Sequence, residues 1–194
     1  STLGSLKNGL KVIIEDGVRR MTHEGENGFY YITLYNENQL HPAMPAGAEE
    51  GIRRGLYRLR RSAQEESAPR VQLIGSGSIL PLVIAAAERL ESEYGIAADL
   101  WSATSFGELR KDGIACERWN LLHPDQEARL PYVTAQLVTS SGPIIAASDF
   151  MRAYPDLIRN WVPRRYTVLG TDGFGCSDTR VALRNHFEID ERYI

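Results

Sequence analysis

Cysteine is scarce in this 194-residue chain: it has Cys116 and Cys176, and neither forms part of a CxxC pair. No histidine cluster accompanies them. That excludes a disulfide framework and a thiolate metal site, and leaves two free thiols in a reducing compartment. Long hydrophobic runs are missing too. The longest apolar stretch, Ile79 to Ala87, is far short of the about 20 residues a membrane span needs. The first residues, Ser1 to Lys7, lack the layout of a signal peptide and begin without Met, as expected of an internal cut in a cytoplasmic protein. Charge of one sign is not in excess. With 22 Lys and Arg against 25 Asp and Glu, the net charge of −3 gives no signal for nucleic acid or an anionic membrane. The four histidines, His23, His41, His123 and His186, are scattered and share no metal-ligand spacing. A segment of the G-D-G…N-N type, expected at a magnesium–diphosphate site, is absent.

The rest describes an ordinary globular chain. Its hydrophobic content of 43% and charged content of 24% suit one domain, or one domain plus a fragment of another, with a core of its own. Val12, Ile13, Val18 and Met21 have helical spacing, so Gly9 to Met21 is read as the end of a helix. Phe29 to Tyr35 is dense in aromatic and β-branched residues and is read as a strand. Asn36 to Gly47, with Pro42, Pro45 and Gly47, is read as a linker and the best domain boundary.

From Ala48 to Arg61 the pattern predicts a helix. Glu49 and Glu50 lie in its first turn, Arg58, Arg60 and Arg61 near its end, and Ile52, Leu56 and Leu59 form its apolar stripe. A regular alternation follows. Strands are expected at Val71–Ile74, Ala97–Ala103, Pro143–Ala147 and Tyr166–Leu169. Helices are expected at Ile79–Tyr94, closed by Gly95, within Phe106–Leu122, at Met151–Trp161 and at Ser177–Phe187, the last capped by Ser177 or Asp178. Tyr132 to Ser140 fits either type. Strands alternating with helices imply an α/β fold: a three-layer sandwich around a mainly parallel sheet with right-handed crossovers.

Two glycine-rich turns are candidates for chemistry. Gly75-Ser-Gly-Ser follows a strand and opens a helix, where a dinucleotide fingerprint would sit, but Leu80 stands at the third glycine position. The structural reading, a tight turn, is favoured over phosphate binding. Gly170 to Asp178 is the densest motif. Its glycines permit positive φ, and Asp172, Ser177 and Asp178 offer local hydrogen bonds. Gly75, Gly77, Asp172, Phe174, Ser177 and Asp178 are therefore candidates for a structural or interface loop first and a ligand loop second. Cys116 is read as a buried thiol in a helix and Cys176 as a more exposed one, with no base beside it in sequence.

Several segments, in order, resemble the C-terminal region of the homodimeric-type pyruvate dehydrogenase E1 component. Tyr30–Asn38, Pro42–Pro45 and Glu49–Ile52 resemble its junction between middle and C-terminal domains. Val71–Ile79 is similar to the first strand and turn of its C-terminal domain. Thr104–Phe106, Asp112-Gly113, Cys116–Asn120, Leu122–Pro124, Tyr166–Gly175, Ser177-Asp178 and His186–Glu188 are similar as well. The resemblance implies a transketolase-like C-terminal domain at 48–194, truncated at its end. Residues 1–38 would be the end of the pyrimidine-binding middle domain, and 39–47 a linker. It implies that the full enzyme uses thiamine diphosphate and magnesium to decarboxylate pyruvate and to acetylate the lipoyl group of E2. This segment would hold no catalytic, cofactor or metal residue and would serve homodimer formation and assembly, inactive alone. A freestanding interaction module of the same fold, and an E1 acting on another 2-oxo acid, are the alternatives. The sequence departs from the family pattern at Cys176, where a basic residue is expected, and at Gln39-Leu-His41.

Overall fold

The computed structural model describes residues 4–32 and 42–194, the side chains of 4–8 excepted. Helix α1 spans Gly4–Val18 and runs into a single π-helical turn, Arg19–His23. Tyr30 then folds back on α1. Its hydroxyl accepts from Arg20 at 2.8 Å, and its ring lies 3.0 Å from where a Cβ on Gly17 would sit. The strand expected at Phe29–Tyr35 does not form over Phe29–Ile32, and its remaining residues lie outside the described ones. Strand propensity expresses a fit to a pleated surface. Among the described residues no strand pairs with this segment, and Phe29 and Tyr31 stand exposed.

The helix expected over Ala48–Arg61 splits in two. Helix α2, Glu49–Arg54, stops at Gly55 in the left-handed conformation (φ 100°). A side chain there would collide with the carbonyl of Ser105, 2.5 Å from an ideal Cβ. The chain continues as strand β1, Leu56–Arg60. The apparent stripe is not one face: Leu56 packs in the core with Trp101 and Phe106, whereas Leu59 packs against the cluster of Val71 and Leu73 on the other face of the sheet. The three arginines thus end no helix. Arg58 lies over the Trp101 ring, Arg60 pairs with Glu91 at 3.2 Å, and Arg61 pairs with Glu66.

The alternation then follows expectation closely: β2 Arg70–Gly75, α3 Leu80–Glu93, β3 Ala97–Ala103, α4 Phe106–Leu122, α5 Tyr132–Leu137, β4 Ile144–Ala147, α6 Ala153–Asp156, β5 Tyr166–Leu169 and α7 Arg180–His186. Gly95, φ 65°, follows α3 as the expected terminator. The ambiguous stretch at Tyr132 is helix. Met151–Trp161 is broken into α6, which contains the buried Pro155, and a 3₁₀ turn, Arg159–Trp161. Helix α7 starts later than expected. Thr179 caps it, its hydroxyl accepting from the Ala182 amide at 3.3 Å, while Asp178 accepts from the Thr179 amide at 2.6 Å.

The five strands form one sheet in the order β1-β3-β2-β4-β5, with β1 antiparallel and the rest parallel. Side chains alternate between two cores. Ile74, Trp101, Ile144 and Ala146 pack with Phe106 and Leu109 of α4 and with Val133 and Leu137 of α5. Val71, Leu73, Ala98 and Leu100 pack with Val83, Ala86 and Ala87 of α3 on the other face. The three-layer α/β sandwich with a mainly parallel sheet is therefore observed. Helix α4 comes so close to Trp161 that a Cβ on Gly113 would lie 2.4 Å from the indole. Among the described residues no helix is long and apolar enough to cross a membrane.

A polar group is buried inside the sheet. Asp99 of β3 accepts from Arg70 at 2.7 Å, from Gln72 at 3.0 Å and from the Ser62 amide at 2.8 Å. Gln72, fully buried, also accepts from the Trp101 indole at 2.8 Å and donates to the Ser141 carbonyl at 3.0 Å. Removing one partner of a buried pair strands the other charge, which costs about 3–5 kcal/mol. Asp99→Leu is expected to lower the unfolding free energy by that order, and the urea midpoint with it. The double variant Arg70→Met/Asp99→Leu is expected to recover much of the loss, as denaturant titration of both would show.

Candidate functional site

In a parallel sheet the loops after the strands gather at the carboxyl ends, where ligands and partners are usually met. Here two such turns carry the glycine motifs. Strand β2 ends at Gly75, and a Cβ there would sit 2.8 Å from Leu80 Cδ1 and 3.1 Å from Val83. Gly77 then takes a positive φ of 63° to turn into α3. Leu80 thus packs over the turn at the place where a dinucleotide would need open backbone, which favours the structural reading of Gly75 and Gly77.

The second turn, after β5, is strapped to the one after β4. A Cβ on Gly170 would lie 2.6 Å from the Phe150 carbonyl, so only glycine lets the two backbones pass. The Thr171 amide donates to that carbonyl at 2.9 Å, and the Thr171 hydroxyl donates to the Asp149 carbonyl at 3.0 Å. Asp172 accepts from the Arg152 amide at 2.8 Å and from its guanidinium at 2.6 Å. The side-chain bond first, and the amide bond second, hold the Asp172 carboxyl below the ordinary aspartate range. Beyond this strap Gly173 turns with φ 100°, and Phe174 projects almost wholly into solvent at 96% exposure. Ser177 is exposed beside it.

A crevice of about 310 Å³ opens between these turns and α7. Ser78, Asp149, Thr171, Phe174 and Arg184 are among the residues around it. The Ser78 hydroxyl donates to Asp149 Oδ2. Arg184 donates to the Ser78 carbonyl at 3.2 Å, and burial, followed by the neighbouring Arg180, pushes its pKa down. Of the six candidate residues only Phe174 borders the crevice. Gly75, Gly77, Ser177 and Asp178 lie outside it, and Asp172 faces Arg152. The sequence reading missed Ser78, Asp149 and Arg184. Two of them had a signal: each stands just past the end of a parallel strand.

Among the described residues no histidine borders the crevice, and the Ser78–Asp149 pair ties two turns together. His123 instead stacks on Trp119, and His186 meets the edge of Phe187. His41 lies outside the described residues. Among the described residues no three His, Cys, Asp or Glu side chains converge on one point.

A mainly parallel sheet covered on both faces, with its loops strapped together at the carboxyl ends, defines a three-layer α/β domain of the doubly covered kind. Residues 55–190 match the model of the transketolase-like TK C-terminal domain, and residues 5–42 match that of the pyruvate dehydrogenase E1 component middle domain. The first match takes in more than half of the chain, and the chain belongs to the transketolase-like C-terminal domain family. It is 50% identical over 185 residues to the pyruvate dehydrogenase E1 component of Cupriavidus necator, covering 95% of this chain and 21% of that protein. It is 53% identical over 186 residues to the one from Pseudomonas aeruginosa, with the same two coverages, 95% and 21%. The resemblance read from the ordered motifs is thereby borne out, and the chain spans about a fifth of the length of the curated relatives it matches. Among solved structures, transketolase from Leishmania mexicana aligns with a TM-score of 0.48 at 20% identity, covering 78% of this chain and 18% of that one.

Two outcomes follow for the loops. Asp172 holds its charge to lower pH when folded than when unfolded. The strap is therefore at full strength above the unfolded aspartate pKa of about 3.9 and is lost as pH falls through the lower folded value. A carboxyl NMR titration is expected to place Asp172 below the ordinary range and, in Arg152→Ala, to return it there. The two thiols should differ as well. Cys116 is half-buried on α4, and burial raises its pKa, whereas Cys176 is exposed. Limited alkylation at neutral pH followed by peptide mass analysis is expected to find Cys176 labelled first.

Proposed function

We propose that this chain is the C-terminal region of a pyruvate dehydrogenase E1 component and serves its assembly. One observation carries the reading: about half of its residues are identical, over 95% of its length, to proteins of that name. In this reading residues 1–38 end the middle domain, 39–47 form the linker, and 48–194 form the C-terminal domain. The whole protein, in the cytoplasm, uses thiamine diphosphate and magnesium to decarboxylate pyruvate and passes the two-carbon unit to the lipoyl group of E2. When bound, the cofactor supplies a carbanion-stabilising centre, and it is held by residues other than those described here. The work of this segment is mechanical: a rigid sheet presents strapped loops to a second copy of the chain. Phe174, held out on a short glycine loop anchored by Asp172 and Thr171, is suited to burial in such a contact.

The test has two arms. The full-length protein with thiamine diphosphate and magnesium is expected to decarboxylate pyruvate, and the isolated 194-residue chain is expected not to. Sedimentation of the isolated chain across a concentration series is expected to show a dimer that persists on dilution. A full-length protein without pyruvate decarboxylation would overturn the E1 assignment. A monomer at all concentrations would overturn the assembly role of this segment.

A further inference from the structure

The strand order places a change of direction in the middle of the sheet. From β2 the chain moves through α3 to β3 on one side, and later reaches β4 on the other side of β2. Such a point leaves a gap at the carboxyl ends, because the two connections leave toward opposite faces. Here the gap is the crevice between the turns that carry Ser78 and Asp149. The fold alone does not give a ligand class; the side chains do.

Three features converge. Asp149 uses Oδ2 to accept from Ser78, while its Oδ1 is buried and has no hydrogen-bond partner among the described residues. A buried carboxylate oxygen left unpaired is costly and calls for a donor. Arg184 reaches across from α7 to the Ser78 carbonyl through one terminal nitrogen, which fixes its guanidinium beside the same turn. Burial and the neighbouring Arg180 disfavour its charge, Asp149 and Glu191 favour it, and the half-buried guanidinium is placed to meet an anion. The turn into α3 is closed by Leu80 over Gly75, so an anion would be met by the guanidinium rather than by the helix start. At about 310 Å³ the space fits a small metabolite, not a dinucleotide.

We propose that this crevice binds a small hydroxylated oxyanion, a phosphate or carboxylate that also carries a free hydroxyl, with its anionic group on Arg184 and its hydroxyl donating to Asp149. This goes beyond the assembly role and is independent of it, because the test reads binding and not decarboxylation. Glycerol 3-phosphate and inorganic phosphate are the probes, titrated calorimetrically into the full-length protein at low ionic strength. The expected result is saturable binding of both, with glycerol 3-phosphate tighter by about tenfold, which is about 1.4 kcal/mol. Arg184→Gln is expected to weaken both probes at least tenfold, with Arg184→Lys between. Asp149→Ala is expected to bring glycerol 3-phosphate down to the level of inorganic phosphate, and its retained phosphate binding shows that the crevice still folds. Absence of saturable binding by the unmodified protein, or unchanged affinities in Arg184→Gln, would overturn the site. Equal affinities for the two probes in the unmodified protein would overturn the role given to Asp149.

Discussion

The whole sheet turns on one buried carboxylate. Asp99 lies near the amino end of β3, the strand that pairs antiparallel with β1 on one side and parallel with β2 on the other. An ion there is tolerable only if every oxygen is met. Arg70 and Gln72 of β2 meet it from the neighbouring strand, and the Ser62 amide meets it from the loop that leaves β1. The same Gln72 fixes the Trp101 indole and reaches the Ser141 carbonyl just ahead of β4. Four segments are thereby held in one register. A slip of one residue would turn every side chain of a strand to the other face. It would also leave Asp99 and Arg70 unpaired, so the polar group penalises misregister far more than apolar packing alone would.

With the amino ends of the strands locked, the carboxyl ends are free to carry turns of unusual closeness. Gly142 shows how little room the locked end leaves: an ideal Cβ there would lie 1.7 Å from the Arg70 carbonyl. At the opposite end Gly75 and Gly170 allow comparable approaches, and the loops after β4 and β5 are tied by Thr171, Asp172 and Arg152. The crevice follows from this division. It is what remains at the switch point once Leu80 has filled one side and the strapped loops have closed the other.

The parallel core was legible in the sequence because its elements obey local rules. Ala97–Ala103 and Tyr166–Leu169 are strands by composition, and α3 is a helix by period, length and its closing Gly95. The errors fall where tertiary contacts decide. Nothing local distinguishes Leu56–Arg60 from one more helical turn. Antiparallel pairing with β3, and the carbonyl of Ser105 pressing on Gly55, make it a strand. Phe29–Ile32 has the composition of a strand but no sheet among the described residues to join. At the site, glycines advertise the two turns, whereas Ser78, Asp149 and Arg184 come from distant segments with no spacing in common. Only the fold brings them to one crevice.

Large apolar side chains stand exposed at several places, Leu121 at 81% among them. Phe174 and Val181 are 96% and 80% exposed and lie on either side of the residues that open α7, while Phe29 and Tyr31, 88% and 85% exposed, follow α1. Single exposed apolar residues are ordinary on any surface, but aromatic groups held on constrained backbone are not. Phe174 stands two residues past the strap at Asp172, between Gly173 and Gly175. The strap at Asp172 thus stands next to both the crevice and the exposed loop tip.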